Sequence, residues 1–164
     1  MKAAVITISD TRSAGRATDE SGPAAQAALN SLGFDASHLV LVPDEAGEIQ
    51  SLVKSLAGVF PLIVTSGGTG AGPRDVTPEA ISPLFDKTLP GFGEIMRIGS
   101  FEKTPMSIIS RGGAGVIGQC LVVMLPGSPR GVRECLDLVG PAIKHLMKAI
   151  QGGGQCHSAP LPGS

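Results

Sequence analysis

Residues 61–80, PLIVTSGGTGAGPRDVTPEA, constrain this chain more than any other stretch. Leu62, Ile63 and Val64 form a short apolar run that predicts a buried strand. Thr65, Ser66, Gly67, Gly68, Thr69 and Gly70 follow as a loop rich in hydroxyls and glycine, and Arg74 and Asp75 place a cation and a carboxylate at its far end. Thr77-Pro78-Glu79 then predicts a helix start, with Thr77 as cap and Pro78 at the first helical position. A strand, a glycine loop and a helix N-terminus in that order make an anion-binding device. Backbone N–H groups can approach a phosphate where no Cβ stands in the way, and the helix end adds positive partial charge. The loop is neither G-x-x-x-x-G-K-[ST] nor G-x-G-x-x-G, so the lysine-bearing and dinucleotide fingerprints are both excluded. Glycines alone would fit a tight strand-to-helix turn equally well. The adjacent Arg74-Asp75 and the helix start favour a phosphate site.

The rest of the chain supplies the frame for that loop. Its 164 residues fit one domain. Hydrophobic residues make up 42%, enough for a sizeable core, and aromatics only 3%, so the core must be aliphatic. A net charge of −1 argues against a general nucleic-acid binder and makes any anion site local. The 23 glycines, about twice the usual share, imply several close backbone approaches. No run reaches the ~18 apolar residues of a membrane span. The opening MKAAVITISD reads as a strand and not as a signal peptide. Cys120, Cys135 and Cys156 lack the spacing of a disulfide framework or zinc site, and a cytoplasmic location is expected.

Strands are predicted at residues 2–8 and 34–42. A helix at 23–32 would be capped by Asp19 or Ser21 and stopped by Gly33. A helix after Asp44 carries Ile49, Leu52, Val53 and Leu56 on one face. A further helix at 91–101 is expected to turn Phe92, Ile95, Met96 and Ile98 inward; residues 106–109 are left unplaced. Two short strands, 114–117 and 120–125, flank a turn at Gly118. Pro126-Gly127-Ser128-Pro129 repeats the earlier grammar: a strand ends, glycine turns, Ser128 caps, Pro129 opens a helix. Gly140-Pro141 is expected to kink or break that helix. Residues 151–164 read as a flexible tail after a domain spanning 1–150. The alternation predicts an α/β fold: a three-layer α/β/α sandwich around a mostly parallel sheet, with its ligand site at the carboxyl ends of the strands. That rule gathers Ser9-Asp10, Asp44, the 66–75 loop and the 126–130 loop on one rim.

Asp44 and Asp75 on that rim could be general bases or Mg²⁺ ligands, the latter suiting an ion that takes one or two carboxylates plus phosphate oxygens. A helix cap is the plain alternative for Asp44, as turn and cap are for Asp10 and Asp19. Arg74, Arg111 and Arg130 are candidate phosphate clamps. No Ser–His–Asp set emerges from His38, His145 and His157, and Cys120 and Cys135 read as small core residues.

With S-G-G-T-G from Ser66 and R-D-V-T-P-E-A from Arg74, the chain resembles the Mog/MoaB-like molybdopterin adenylyltransferase family, seen also as one domain of gephyrin-like proteins. Further matches are Ile8-Ser-Asp10, Asp19-Glu-Ser-Gly22, Val42-Pro-Asp-Glu45, Pro90-Gly-Phe-Gly-Glu94, Thr104-Pro105, Ser110-Arg111 and Leu125-Pro-Gly-Ser-Pro129, so the likeness covers nearly the whole chain. The resemblance implies an enzyme of molybdenum cofactor biosynthesis that transfers AMP from ATP to the terminal phosphate of molybdopterin, with Mg²⁺, releasing pyrophosphate. It puts the essential aspartates at Asp44 and Asp75. It puts the nucleotide and pterin pocket at Ser9, Asp10, Ser66, Gly67, Gly68, Thr69, Gly70, Arg74, Thr77, Ser110, Arg111, Pro126, Gly127 and Ser128. It further implies a homotrimer, or a dimer of trimers, and hand-over to a molybdenum insertase. The alternative is a non-catalytic molybdopterin-binding or carrier protein of the same fold.

Overall fold

Near-continuous apolar runs can be covered on both faces only at the centre of a parallel sheet, and that is where they lie. The structure, a computed structural model, describes residues 1–150 and Gly152; the rest of the tail expected over 151–164 falls outside the described residues. The strands are β1 (Lys2–Ile8), β2 (Asp35–Val42), β3 (Leu62–Ser66), β4 (Lys87–Leu89), β5 (Ala114–Ile117) and β6 (Cys120–Leu125). They form one sheet in the order β2-β1-β3-β6-β5-β4. β2, β1, β3 and β6 run parallel, while β5 returns antiparallel to β6 and β4 pairs antiparallel to β5.

The period-2 alternation of each strand divides the core into two layers. Ala3 and Val5 of β1, Leu62 and Val64 of β3, and Leu121, Val123 and Leu125 of β6 face one side. There they meet α2 (Ser21–Ser31), α5 (Pro90–Phe101) and α6 (Pro129–Ile150). Ala4, Ile6, Ile8, Ile63, Val122 and Met124 face the other side, against α3 (Ala46–Ala57) and α4 (Thr77–Ile81). A short α1 (Asp10–Ser13) follows β1 on the rim. This is the expected three-layer sandwich. Cys120 and Cys135 sit in its core, where burial pushes their thiols up to about 12 and about 11.

Two local expectations change, and two segments that the sequence left unread gain a structure. Pro141 does not break α6, which runs unbroken through 22 residues. An interior proline costs about 3 kcal/mol. The buried stripe of Val139, Ile143 and Met147 faces the sheet-and-α2 layer, and each such side chain contributes about 1.5–3 kcal/mol. Packing therefore wins over the lost hydrogen bond. The inward face of α5 is Gly93, Met96 and Ser100, whereas Ile95 and Ile98 are exposed. The residues 106–109 belong to a 3₁₀ turn, Pro105–Ile109. β4 gives little sequence signal, being three residues long.

The N-cap residue of α2 is Glu20, not Asp19 or Ser21, but the Asp19 side chain satisfies the first N–H groups of the helix. Its Oδ1 accepts from the Ser21 N–H, the Ser21 hydroxyl and the Gly22 N–H, each at 3.1 Å, and its Oδ2 accepts from the Thr7 hydroxyl at 2.7 Å. Partial burial pushes the Asp19 carboxyl up, but the bonds from Gly22, Thr7 and Ser21 outweigh it and hold the pKa below its ordinary 3.8. In acid the unfolded chain therefore binds this proton first. The stabilisation is present above pH 3.8 and is lost as pH falls through the lower folded value. Asp19→Ala should cost about 1–2 kcal/mol at neutral pH in urea unfolding, and the gap to wild type should narrow when the titration is repeated at about pH 3.

Candidate active site

The strand order reverses between β1 and β3, since β2 lies on one side of β1 and β3 and β6 on the other. A crevice opens at such a switch point beyond the carboxyl ends of the strands. Gly67 makes the crossing there. Its φ is +107°, and a Cβ on it would lie 2.2 Å from the Ile8 carbonyl oxygen. Gly68 also has a positive φ, +62°, and a Cβ there would meet the Thr77 hydroxyl at 2.3 Å and the Asp44 carboxylate at 2.9 Å. The expected cap role of Thr77 is not what its side chain does. Thr77 is fully buried, and its hydroxyl donates to the Gly67 carbonyl at 2.9 Å while its N–H donates to the Gly68 carbonyl at 3.0 Å. Thr77 thus ties the far end of the loop back to its start, and α4 is five residues long, leaving it little helix dipole to offer.

The backbone supplies the anion-binding potential instead. The Gly67 N–H is taken by the Leu125 carbonyl. The N–H groups of Gly68, Thr69 and Gly70, and those of Gly127 and Ser128 across the crevice, have no acceptor among the described residues. A run of N–H groups left free on two converging loops is suited to cradle an anion. Ser66 holds the two loops in register, its buried hydroxyl donating to the Pro126 carbonyl at 3.0 Å.

A charged cluster borders one side of the cradle. The Asp10 N–H donates to Asp44 Oδ2 at 2.9 Å, and the Asp44 N–H returns a bond to Asp10 Oδ1 at 3.0 Å. This reciprocal pair joins the ends of β1 and β2, so Asp44 is not the cap of α3; Glu45 occupies that position. Arg74 crosses the loop to Asp10, with Nε–Oδ2 at 2.9 Å and Nη2–Oδ1 at 3.1 Å, and to Glu45 Oε1 at 2.7 Å. Arg74 holds the Asp10 carboxyl below its usual range. The Asp44 carboxyl is pushed up, first by desolvation and then by the negative charges of Asp10 and Asp75. Asp75 Oδ2 accepts from the Gly72 N–H at 2.8 Å. One carboxylate oxygen on Asp44 and one on Asp75 have no hydrogen-bond partner among the described residues. No group of three His, Cys, Asp or Glu side chains among the described residues could cage a metal alone. Two carboxylates with free oxygens, one of them destabilised by neighbouring negative charge, do fit a Mg²⁺ ion that completes its shell from phosphates and water.

On the other side lies a cavity of about 340 Å³ between the loops, α5, the 3₁₀ turn and the start of α6. Its lining is mixed: Met96, Met106, Ile109 and Pro126 offer apolar surface, while Thr69, Ser107, Ser110 and Ser128 bring hydroxyls. Ser128 also caps α6, its oxygen accepting from the Gly131 N–H at 3.1 Å.

Of the residues singled out from the sequence, Thr69, Gly70, Ser110, Pro126, Gly127 and Ser128 line the cavity. Asp10, Asp44, Arg74 and Asp75 form the charged cluster. Ser66, Gly67, Gly68 and Thr77 shape the floor between them. Ser9 caps α1, accepting from the Arg12 N–H. Arg130, a candidate clamp, pairs with Glu134 one turn along α6. Sequence reasoning missed Arg97, which lines the cavity and donates from Nη1 to the carbonyls of Ser110 and Gly112, each at 3.2 Å. The usable signal was the i, i+3, i+4, i+7 set Gly93, Met96, Arg97 and Ser100, obscured because Ile95 and Ile98 looked the better inward pair.

Known proteins are similar to this chain over most of its length. A family described as "Probable molybdopterin binding domain" matches residues 4–145. The molybdopterin adenylyltransferase of Helicobacter pylori is 41% identical over 155 residues, covering 90% of this chain and 86% of that protein. Molybdenum cofactor biosynthesis protein B of Bacillus subtilis is 40% identical over 154 residues, covering 90% of this chain and 88% of that protein. Among solved structures, the molybdopterin biosynthesis enzyme MoaB of Thermus thermophilus matches with a TM-score of 0.87 at 40% identity, covering 92% of this chain and 96% of that one.

Gly68→Ala tests the backbone geometry of the floor. The added Cβ would be strained at φ +62° and would press on Thr77 and Asp44. Urea unfolding should show a loss of about 1–3 kcal/mol, and the protein should bind phosphate-bearing ligands more weakly in calorimetry.

Proposed function

The chain belongs to the molybdopterin-binding domain family, and from that premise we infer that it is a molybdopterin adenylyltransferase of molybdenum cofactor biosynthesis. It moves AMP from ATP to the terminal phosphate of molybdopterin. A phosphate oxygen of molybdopterin forms a bond to the α-phosphorus of ATP. The bond from that phosphorus to the β-phosphate bridging oxygen breaks, and pyrophosphate leaves with the electron pair. The observation that carries this reading is the row of free N–H groups at Gly68, Thr69, Gly70, Gly127 and Ser128, set between an acidic pair and a cavity. Two phosphate-bearing substrates must meet there, and their mutual repulsion is the main obstacle.

Each residue's part in this reading follows from its chemistry. The nucleophile is a phosphate monoester with a second pKa of ~6, so it is largely dianionic near neutrality and needs no general base. The chain's task is to hold two anions in line and to stabilise charge on the departing pyrophosphate. The loop amides at 68–70 and 127–128 do the first part by donating to phosphate oxygens. Asp44 and Asp75 would hold Mg²⁺, which, when bound, withdraws charge from nucleotide phosphate oxygens. Asp10 orients Asp44 through the reciprocal bonds between them. Arg74 balances the charge of Asp10 and Glu45. The cavity beside Thr69 and Ser110 has room and mixed polarity for a heterocycle.

The same proposal includes a homotrimer, or a dimer of trimers, acting in the cytoplasm and handing its product to a molybdenum insertase. Exposed apolar side chains on α5 and the following turn, Ile98 at 70% and Met106 and Ile108 at 64%, support self-association through that face. Native mass measurement distinguishes trimer from hexamer.

Asp75→Asn is expected to keep molybdopterin binding while turnover falls about a hundredfold, read as pyrophosphate release from ATP, molybdopterin and Mg²⁺. Turnover close to wild type would remove Asp75 from the proposed metal site. Chelation of divalent cations should abolish release in wild type, and added Mg²⁺ should restore it.

A further inference from the structure

Arg111 stands beside the cradle yet is absent from the lining of the cavity. Its contacts run to the main chain of the loop. The Arg111 N–H donates to the Thr69 carbonyl at 2.8 Å. Its Nε donates to the Gly70 carbonyl and its Nη2 to the Asp75 carbonyl, both at 2.7 Å. Its Nη1 pairs with Glu79 on α4. One residue therefore grips the glycine loop at its middle, Thr69–Gly70, and at its end, Asp75, and anchors both to the helix that follows.

The directions of these bonds matter. In a trans peptide the C=O and N–H point opposite ways. Drawing the Thr69 and Gly70 carbonyls toward Arg111 turns the N–H groups of Gly70 and Ala71 away from it. Holding the Asp75 carbonyl likewise fixes the backbone from which the Asp75 carboxylate projects. Three of the five guanidinium N–H donors are engaged in these contacts. The geometry differs from that of a phosphate clamp, whose fork would face the substrate.

We propose that Arg111 is a positioning residue for the reaction: its guanidinium, steadied by Glu79, and its backbone N–H orient the amide donors of Gly70 and Ala71 and the backbone of Asp75, and it does not itself bind substrate. Its effect on turnover rests on the adenylyl-transfer reading above. Its effect on the loop does not. A lysine carries the charge but, as a compact point charge, cannot reach three acceptors in a planar fork. Charge alone should therefore fail to replace Arg111.

The test uses the full chain as wild type, Arg111→Lys, Arg111→Gln and Glu79→Gln. Amide hydrogen exchange is read in the nucleotide-free protein, then pyrophosphate release with the KM for each substrate. Exchange over residues 69–76 should accelerate several-fold in both Arg111 variants and less in Glu79→Gln. Both Arg111 variants should lose about tenfold to a hundredfold in kcat, with the KM for molybdopterin and for ATP changed less than about twofold. Two outcomes overturn the proposal. One is unchanged exchange in the loop. The other is near-wild-type kcat in Arg111→Lys with a raised KM in Arg111→Gln, the behaviour of a cation that touches substrate. If an Arg111 variant does not fold, Glu79→Gln decides, since it keeps the arginine and weakens only its anchor. If wild type releases no pyrophosphate, adenylyl transfer fails as the function, while the exchange data still decide whether Arg111 orders the loop.

Discussion

The close approach of Gly67 to the carbonyl of Ile8 is the constraint on which the site depends. A side chain at Gly67 would overlap that carbonyl, so only glycine lets β3 leave the sheet across the end of β1. Once the chain takes that path, Thr77 can reach back to the Gly67 carbonyl from ten residues on, and the loop closes on itself. Ser66 then bonds across to Pro126, which brings the second loop alongside the first. The free amides of both loops converge because the strands that end there are hydrogen-bonded neighbours in one parallel sheet.

Electrostatics follows from this backbone plan. A chain with a net charge of −1 has no general attraction for polyanions, so its affinity for phosphate must be built from fixed donors at short range. The carboxylates beside them look out of place for an anion site until a cation is added. Asp44 already resists ionisation because of its partial burial and the charges of Asp10 and Asp75. Arg74 neutralises only the Asp10 and Glu45 side of the cluster. In the proposed reaction the amides would take the phosphates and the carboxylates a metal, complementary parts of one arrangement for bringing two anionic substrates together.

Local signals were legible where a residue's role is set by its immediate neighbours. The apolar runs of β1, β3 and β6 announced buried parallel strands, and Ser128-Pro129 announced the start of α6. Signals failed where distant packing decided. Pro141 looked like a break, but the stripe of Val139, Ile143 and Met147 keeps α6 whole. Ile95 and Ile98 looked like core, but α5 presents Gly93, Met96, Arg97 and Ser100 to the cavity side, where a polar face suits a ligand better than an apolar one. Thr77 looked like a cap because Thr-Pro-Glu is a common helix opening, while its hydroxyl serves the loop before it.

The sequence by itself determined the layered α/β plan, the rim on which the site lies and the glycine-rich character of its floor. These depend on hydrophobic period and on backbone freedom, both of which are properties of short segments. Only the tertiary structure decided which donors are free and which are occupied. Asp10 and Asp44 lie 34 residues apart and share reciprocal bonds, and Arg111 lies 41 residues from the Gly70 carbonyl that it grips. Whether an arginine clamps a phosphate or orders a loop depends on the acceptors that folding brings within 3 Å of it, and no local pattern encodes those.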